Sequence, residues 1–304
     1  MLAAGKSILK KAYDSGYAVG AFNINNLEVL KAVVSAADEL NAPIFVQATA
    51  GAIKYAGIEE LAAMVRASAK KSKIPIALHL DHGPDLNHVR LCIEHGFTSV
   101  MLDGSHLPFA KNVSITKSAA RIAHARKVCV EGELGRLKGV EEHVKSSRHV
   151  FTEPAEAKKF VALTKVDSLA VAIGTSHGAY KFRGKPKLEI KRLKEINSLL
   201  QMPLVLHGAS SVPKELVSKA DRYGAAIKGA NGVPDSELRK AVRNGIAKVN
   251  QDTDLRIALV AAVRKFLKEN PKEYDPRNIL APAMLSIKEV VKKRIKVLGS
   301  EGRA

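Results

Sequence analysis

The sequence contains no tryptophan, only two cysteines and no long uncharged apolar run. Its apolar runs are too short to cross a bilayer, and lysines interrupt the N-terminal segment where a signal peptide needs an apolar region. We therefore expect a cytoplasmic protein without a membrane segment. Cys92 and Cys129 lack the spacing of a metal site. Two isolated thiols in a large cytoplasmic chain are interpreted as buried apolar residues rather than as a disulfide.

Aromatic residues are also scarce, at 5 % of the chain, whereas 49 lysines and arginines against 30 acidic residues give a net charge of +19. This excess raises nucleic acids, membrane surfaces and anionic metabolites as partners. The basic residues are scattered, however, and few aromatic side chains are present on which bases could stack. We favour a solvated basic surface with phosphate-binding positions. A polyanion-binding surface is the alternative.

Short β-branched apolar runs alternate with amphipathic helical segments, a pattern typical of repeated βα units around a parallel sheet. Strands are predicted at Ala18–Phe22, Ile44–Gln47, Ile76–His79, Ser99–Leu102, Val128–Glu131, Ser168–Ala172, Leu204–Leu206 and Ala247–Val249. Helices are predicted at Leu27–Leu40, Glu59–Lys71, Asn87–His95, Asn112–Ala125, Glu153–Thr164, Leu188–Leu199 and Leu255–Lys268. Residues 219–234 are interpreted as an elaborated loop, and residues 282–298 as a basic outer helix.

Eight units favour a closed barrel over a doubly wound open sheet, although periodicity alone does not report closure. Polar residues follow every predicted strand. This is expected when eight loops surround one mouth, whereas an open sheet concentrates its ligands at a switch point. We predict a single (β/α)8 TIM barrel domain over residues 1–304, with a C-terminal helical extension at about 282–298.

Three histidines, His82, His177 and His207, each close a different predicted strand and each precede a glycine. One such histidine is more often structural than a ligand, but a barrel brings three strand ends to one rim. Three neutral imidazoles with one open position form a catalytic zinc-type site, where the metal polarises a carbonyl group.

Acidic residues form a second group: Asp81, Asp103, Glu131 and Glu133 lie at or just after apolar strands. Because neighbouring strand residues point to opposite faces, Asp81 is either a partner of the ligand His82 or a proton-transfer group above the substrate. Buried carboxylates need a metal, lysine or arginine nearby. A structural ion pair remains the alternative for each acid.

Two successive loops have the composition of anion sites. The segment "HGASS" follows the seventh predicted strand and "NQDTDLR" follows the eighth, while "GTSHGAYK" after the sixth is similar. Small and hydroxyl residues leave backbone N–H groups available, and barrels commonly bind phosphate with these loops.

Six motifs occur in order: "LHLDHG", "VMLDGS", "EGELG", "GTSHG", "LHGAS" and "NQDTDLR". Together they resemble the class II, metal-dependent ketose-bisphosphate aldolases over nearly the whole chain, most closely those specific for fructose 1,6-bisphosphate. The resemblance implies reversible cleavage of D-fructose 1,6-bisphosphate to dihydroxyacetone phosphate and D-glyceraldehyde 3-phosphate, in glycolysis and gluconeogenesis, through a zinc-stabilised enediolate. A Schiff-base lysine is not required, and no lysine stands obviously at a strand end.

The resemblance also implies residue roles. The zinc ligands are His82, His177 and His207. Asp103 and Glu133 provide a second divalent metal position or an alternative position for the zinc. Asp81 transfers the proton at the C4 oxygen, and Glu142 removes the C3 proton of dihydroxyacetone phosphate. The phosphate of that triose, assisted by a sodium or potassium ion, contacts the loops formed by Gly178, Gly208, Ala209, Ser210, Asn250, Gln251, Asp252 and Thr253, and Asn250 also contacts the enediolate.

Tagatose-1,6-bisphosphate aldolases resemble the chain over the same span, but typically have "NVAT" at residues 250–253. Asp252, Arg256 and Arg277 resemble the fructose-type set, in which the aspartate reads the C4 configuration and the arginines hold the C6 phosphate. Thr49 is assigned to this half of the substrate. The resemblance implies a homodimer or homotetramer in which Arg277 crosses an interface. A non-catalytic polyanion-binding barrel is the alternative from another class.

Two residues depart from the family pattern. Ser211 stands where glycine is usual, and a positive φ there costs a non-glycine residue about 1 to 2 kcal/mol. Gln251 replaces an aliphatic residue and needs a hydrogen-bond partner if buried. His79 has no assigned chemistry and is expected in the core.

Overall fold

The computed structural model describes residues 2–137, 139–141, 144–146, 149–176, 178 and 187–304. The strands are β1 Val19–Asn23, β2 Ile44–Thr49, β3 Ile76–Gly83, β4 Ser99–Leu102, β5 Cys129–Leu134, β6 Gly139–Glu141, β7 Val144–Ser146, β8 Ser168–Val171, β9 Leu204–Leu206 and β10 Ile246–Gln251. The helices are α1 Gly5–Asp14, α2 Leu27–Glu39, α3 Ala50–Ala56, α4 Ile58–Lys71, α5 Leu86–Glu94, α6 Phe109–His124, α7 Pro154–Thr164, α8 Ile190–Leu200, α9 Lys214–Arg222, α10 Asp235–Val242, α11 Thr253–Glu269 and α12 Pro276–Leu298.

Eight parallel strands close into a barrel in the order β1-β10-β9-β8-β5-β4-β3-β2. Strands β6 and β7 form a separate antiparallel hairpin. The helices cover the outer face, so β2 and β3 are buried along their full length. This accounts for their nearly continuous apolar sequence. The predicted (β/α)8 barrel is confirmed.

The interior of the barrel changes from apolar to polar along its axis. At the amino end of the strands, Ile8 and Leu9 of α1 pack against Val19, Phe45 and Ala77. Helix α1 therefore closes this end. Inward-facing polar residues occupy the middle and carboxyl end, where the site lies.

The boundaries of two predicted segments are corrected. The outer C-terminal helix begins at Pro276, not near Pro282, because the Asp275 side chain caps it by accepting the Arg277 N–H at 2.9 Å. Pro282 lies inside the helix, which packs against α11 and α2. The segment 219–234 begins inside α9 and so is not entirely a loop.

Helices α1, α3, α9 and α10 and the hairpin were absent from the predicted elements, whereas all eight barrel strands were present among them. Within the described residues, no helix combines the length and the apolar composition needed to cross a membrane.

Candidate active site

An irregularity in β3 brings two adjacent residues, Asp81 and His82, to the same site. Leu80 pairs with Val100 and Gly83 with Leu102, so three steps along β3 correspond to two along β4. His82 has a φ of 48°, and a Cβ on Gly83 would lie 2.3 Å from the Met101 carbonyl oxygen. Such a bulge redirects side chains. The expectation that Asp81 and His82 point to opposite faces is therefore wrong here.

His82 and His207 face each other across this site. Nε2 of His82 lies 2.9 Å from Nδ1 of His207. The outer nitrogens contact carboxylates: His82 Nδ1 lies 2.9 Å from Asp103 Oδ2, and His207 Nε2 lies 2.7 Å from Glu131 Oε1. Since ionised carboxylates only accept hydrogen bonds, each outer nitrogen carries a proton. The two facing nitrogens are therefore the ones directed at a shared ligand.

The charges around the two rings differ. Burial lowers the pKa of His82, but Asp81, Asp103 and Glu133 around it raise that pKa to about 10. The pKa of His207 is lowered by burial, with a further contribution from His82, despite its hydrogen bond to Glu131. The raised pKa of His82 and the lowered pKa of His207 place one proton between the rings, and His82 Nε2 donates it to His207 Nδ1. A divalent cation bound by both rings must displace it.

Glu133 supplies a carboxyl group directed at the same point. Its Oε2 atom is buried, has no hydrogen-bond partner among the described residues, and lies 3.7 Å from His207 Nδ1. Burial and the nearby Asp103 raise its pKa well above the ordinary value. A neighbouring cation would satisfy this oxygen.

Two sets of potential ligand atoms converge among the described side chains: Asp81 with His82 and His207, and His82 with Asp103 and Glu133. Imidazole nitrogens and carboxylate oxygens are the ligands that zinc and related divalent ions use. The residues therefore fit a divalent metal centre.

Three side-chain amides hold Asp81. Asn23 Nδ2 and Gln47 Nε2 donate to Oδ2 at 2.8 and 3.1 Å, and Asn250 Nδ2 donates to Oδ1 at 2.9 Å. Burial raises the pKa of Asp81, but its electrostatic interactions with His82, His207 and Lys248 lower that pKa below the ordinary value overall. Asp81 is therefore a fixed carboxylate that is able to accept a proton. No role was predicted for Gln47 from the sequence. Because alternate residues of a strand face the same side, its position two residues after the inward-facing Phe45 was the signal that it lies inside the barrel.

The "HGASS" segment folds as a tight loop after β9. Gly208 has a φ of 59°, and a Cβ there would lie 2.7 Å from the Ser176 carbonyl oxygen. Ser211 does not have a positive φ; the left-handed conformation falls on Val212, at 45°. The strain expected at Ser211 is therefore located one residue later.

Asp254 fixes this loop, a role that the sequence analysis missed. It accepts hydrogen bonds from the backbone N–H groups of Ser211 and Val212, at 3.1 and 2.7 Å. The Ser211 hydroxyl also bonds to Asp235 and Arg294. The seventh loop is thus attached to α10, α11 and α12.

The following strand brings the predicted eighth-loop residues beside this loop. The backbone N–H of Asp252 donates to Ser210 Oγ at 3.3 Å. Gln251 is buried, and its Nε2 donates to the Ala209 carbonyl oxygen at 3.3 Å. Within the described part of the chain, Gln251 Oε1 has no hydrogen-bond partner. Thr253 is the first residue of α11.

A cavity of about 430 Å³ opens beside Asn23, whose side chain donates a hydrogen bond to Asp81. It is lined by Asn23, Thr49, Tyr55, Asp252, Arg256 and apolar residues of α11. Arg256 Nε donates to Asp252 Oδ1 at 2.8 Å, and the Thr49 hydroxyl accepts the Ala52 N–H at 3.1 Å. The residues assigned to the second half of the substrate therefore meet here, except Arg277.

Four assigned residues remain. Arg277 is exposed at the start of α12, where its Nη2 lies 2.7 Å from Asp275 Oδ2. His177 and Glu142 lie outside the described residues. Gly178 is exposed, with a φ of 86°.

The site thus combines a closed barrel, converging metal-binding side chains and a fixed carboxylate. The family model for class-II fructose-bisphosphate aldolase matches residues 3–228 and 225–303. Relatives called fructose-bisphosphate aldolase, from Thermus caldophilus and Helicobacter pylori strain J99, are 49 % and 46 % identical, with 100 % of both chains covered in each comparison. The crystal structure of the YdjI aldolase from Escherichia coli K12 has a TM-score of 0.83 and 30 % identity, again covering 100 % of both chains. The chain belongs to the class II fructose-bisphosphate aldolase family, whose members are metal-dependent.

Proposed function

We propose that this chain catalyses the reversible cleavage of D-fructose 1,6-bisphosphate to dihydroxyacetone phosphate and D-glyceraldehyde 3-phosphate, with zinc as the metal, in the cytoplasm. The observation that carries the proposal is the pair His82 and His207, each ring fixed by a carboxylate, beside the fixed carboxylate of Asp81. The names of the curated relatives support the substrate.

In this proposal His82, His177 and His207 hold the zinc, and Asp103 with Glu133 provide a second metal position. The metal supplies Lewis acidity that stabilises negative charge on the substrate. During cleavage Asp81 accepts the proton of the C4 hydroxyl; the lowered pKa of its carboxyl group keeps that group ionised at neutral pH, which is the form that can accept a proton. In the condensation direction it returns that proton.

The remaining assignments concern the carbon acid and the phosphates. Glu142 exchanges the C3 proton of dihydroxyacetone phosphate, and Asn250 orients the enediolate. The loops at Gly178, at residues 208–210 and at residues 250–253 bind the phosphate of that triose, with a sodium or potassium ion assisting.

Substrate choice is assigned to the cavity beside Asn23. Asp252 reads the C4 configuration, and Thr49 and Arg256 contact the second half of the substrate; their meeting in one cavity supports this assignment. We place Arg277 in the site of a neighbouring subunit of a homodimer or homotetramer, because its guanidinium is exposed. Tagatose 1,6-bisphosphate is the alternative substrate.

A coupled cleavage assay on both bisphosphates tests the proposal. The purified protein is assayed as isolated, after treatment with EDTA, and after zinc is restored. We expect cleavage to disappear with EDTA, to return with zinc, and to favour the fructose compound. Cleavage that survives EDTA, or that is absent with zinc restored, contradicts the metal-dependent reaction.

The same assay separates the alternatives. Equal or faster cleavage of the tagatose compound contradicts the substrate assignment. Nucleic acid binding with a steep salt dependence, in a protein that cleaves neither sugar, supports a polyanion-binding barrel instead.

A further inference from the structure

A row of five buried polar side chains, each bonded to the next, leads to the metal-binding residue His207. It runs from Ser99 through His79, Lys248 and Glu131 to His207, and each of these residues is at most 2 % exposed. We call these five residues the polar layer. Lys248 is the only buried lysine in the part of the molecule that the structure describes.

The hydrogen bonds of the polar layer have a consistent direction. Lys248 Nζ lies 2.9 Å from Glu131 Oε2 and 3.4 Å from His79 Nε2, so it donates to both. Burial and the charge of Lys248 lower the pKa of His79 to about 3, which leaves a neutral ring with an acceptor nitrogen. The other nitrogen of His79 lies 2.8 Å from Ser99 Oγ.

Both oxygens of Glu131 are used in this arrangement. Oε2 accepts from Lys248, and Oε1 lies 2.7 Å from His207 Nε2. The ammonium therefore sets the orientation of the carboxylate, and the carboxylate sets the orientation of the imidazole.

Stability alone does not explain this ion pair. Well-packed apolar residues usually stabilise an interior as well as a buried ion pair does, or better. The adjoining layer of the barrel is built from residues such as Val19, Phe45 and Ala77, so apolar side chains are accommodated there. A charged pair directly below His207 is better explained by what it does to that ring.

We propose that Lys248 is a positioning residue for the metal ligand His207, acting through Glu131 to keep Nδ1 of the ring directed at the metal. This rests on the metal site of the proposed function. Lys248 Nζ bonds to Glu131 and His79, and this pairing leaves it no role as a Schiff-base lysine.

The test measures metal binding rather than turnover. The metal-free protein is titrated with Zn²⁺ against a chromophoric chelator, and with Co²⁺ while its visible absorption is recorded. We expect Lys248→Met to weaken Zn²⁺ binding by about 10- to 100-fold, the range typical for partners of metal ligands, and to change the Co²⁺ spectrum.

Two further variants test the route through Glu131. Glu131→Gln should weaken Zn²⁺ binding by a similar factor. The double variant Lys248→Met with Glu131→Gln should bind Zn²⁺ with an affinity within about twofold of that of the weaker-binding single variant. The two losses should not multiply, because coupled residues do not act additively. Losses that multiply overturn the route through Glu131.

A matched control separates positioning from stability. Ile295→Ala opens a cavity under α12, where Ile295 is fully buried. It should lower the unfolding temperature and leave Zn²⁺ affinity and the Co²⁺ spectrum unchanged.

A neutral replacement covers the case in which Lys248→Met does not fold. Lys248→Gln can still donate to Glu131 and should weaken Zn²⁺ binding by a smaller factor. Unchanged affinity and spectrum in Lys248→Met, or in Lys248→Gln if the first variant is unfolded, overturn the positioning role. Failure of the unaltered protein to bind Zn²⁺ overturns the proposed function instead.

Discussion

The two halves of the site are built differently. In the metal-binding half, Asp81, His82 and His207 are buried and are fixed by other buried side chains. In the cavity, the side chains of Asp252 and Arg256 are 28 % and 66 % exposed and bond to each other. Exposed charge pairs are weak and screened, whereas buried ones are costly to disturb. We therefore expect changes in the first half to abolish the reaction and changes in the second to alter the choice of substrate.

The largest effect is expected from His207→Ala, because it removes the facing nitrogen of the ring pair. Zinc content should fall and cleavage of fructose 1,6-bisphosphate should drop by at least about 10³-fold, since the metal supplies most of the charge stabilisation. Metal analysis and the coupled assay check this. His88→Ala, at a partly exposed histidine of α5, is the control. Normal zinc content in the His207 variant contradicts the ligand assignment.

Asp81→Asn tests whether this half of the site contains a proton-transfer group as well as metal ligands. We expect kcat to fall by about 10²- to 10⁴-fold, the usual contribution of general acid–base catalysis, while zinc affinity changes little. Asp14→Asn, at an exposed acid of α1, is the control. A variant that loses zinc and activity in parallel indicates that Asp81 acts as a ligand instead.

Metal affinity should depend on pH because of His82. Its pKa is raised to about 10, so the ring holds a proton at neutral pH that bound zinc must displace. The affinity of the metal-free protein for Zn²⁺ should therefore rise with pH, by up to about tenfold per unit between pH 7 and 9. Calorimetry in two buffers of different ionisation enthalpy should show about one proton released. Binding without proton release at pH 7.5 contradicts the raised pKa.

Much of the fold can be predicted from the sequence because the barrel strands have a clear signal. Segments such as Ile76–Gly83 are buried on both faces and begin as apolar runs, and the polar residues that end them mark the mouth. Helices α3 and α9 lack this clarity. They are short, at 7 and 9 residues, so neither repeats a helical apolar pattern for long enough to be distinguished from a loop.

The site, like the fold, could be predicted only in part from the sequence. Strand-end positions predicted that His82, His207 and Asp103 converge, as they do. The bulge that turns Asp81 and His82 to one side was not predictable, since alternation is the rule it breaks. The contact between Glu131 and Lys248 joins residues 117 positions apart. Only the spacing of Lys248 two positions before Asn250 indicated that it faces inward.

The smallest effect belongs to the exposed half of the site. Asp252→Ala should reduce the preference for fructose over tagatose 1,6-bisphosphate by about tenfold, the value of one charged hydrogen bond, and leave zinc content unchanged. Relative kcat/KM for the two sugars measures this. Glu269→Ala, at the exposed end of the same helix α11, should leave the ratio as it was. If Asp252→Ala leaves the ratio unchanged, Asp252 does not determine the choice of substrate. A loss of zinc in this variant contradicts the separation of the two halves.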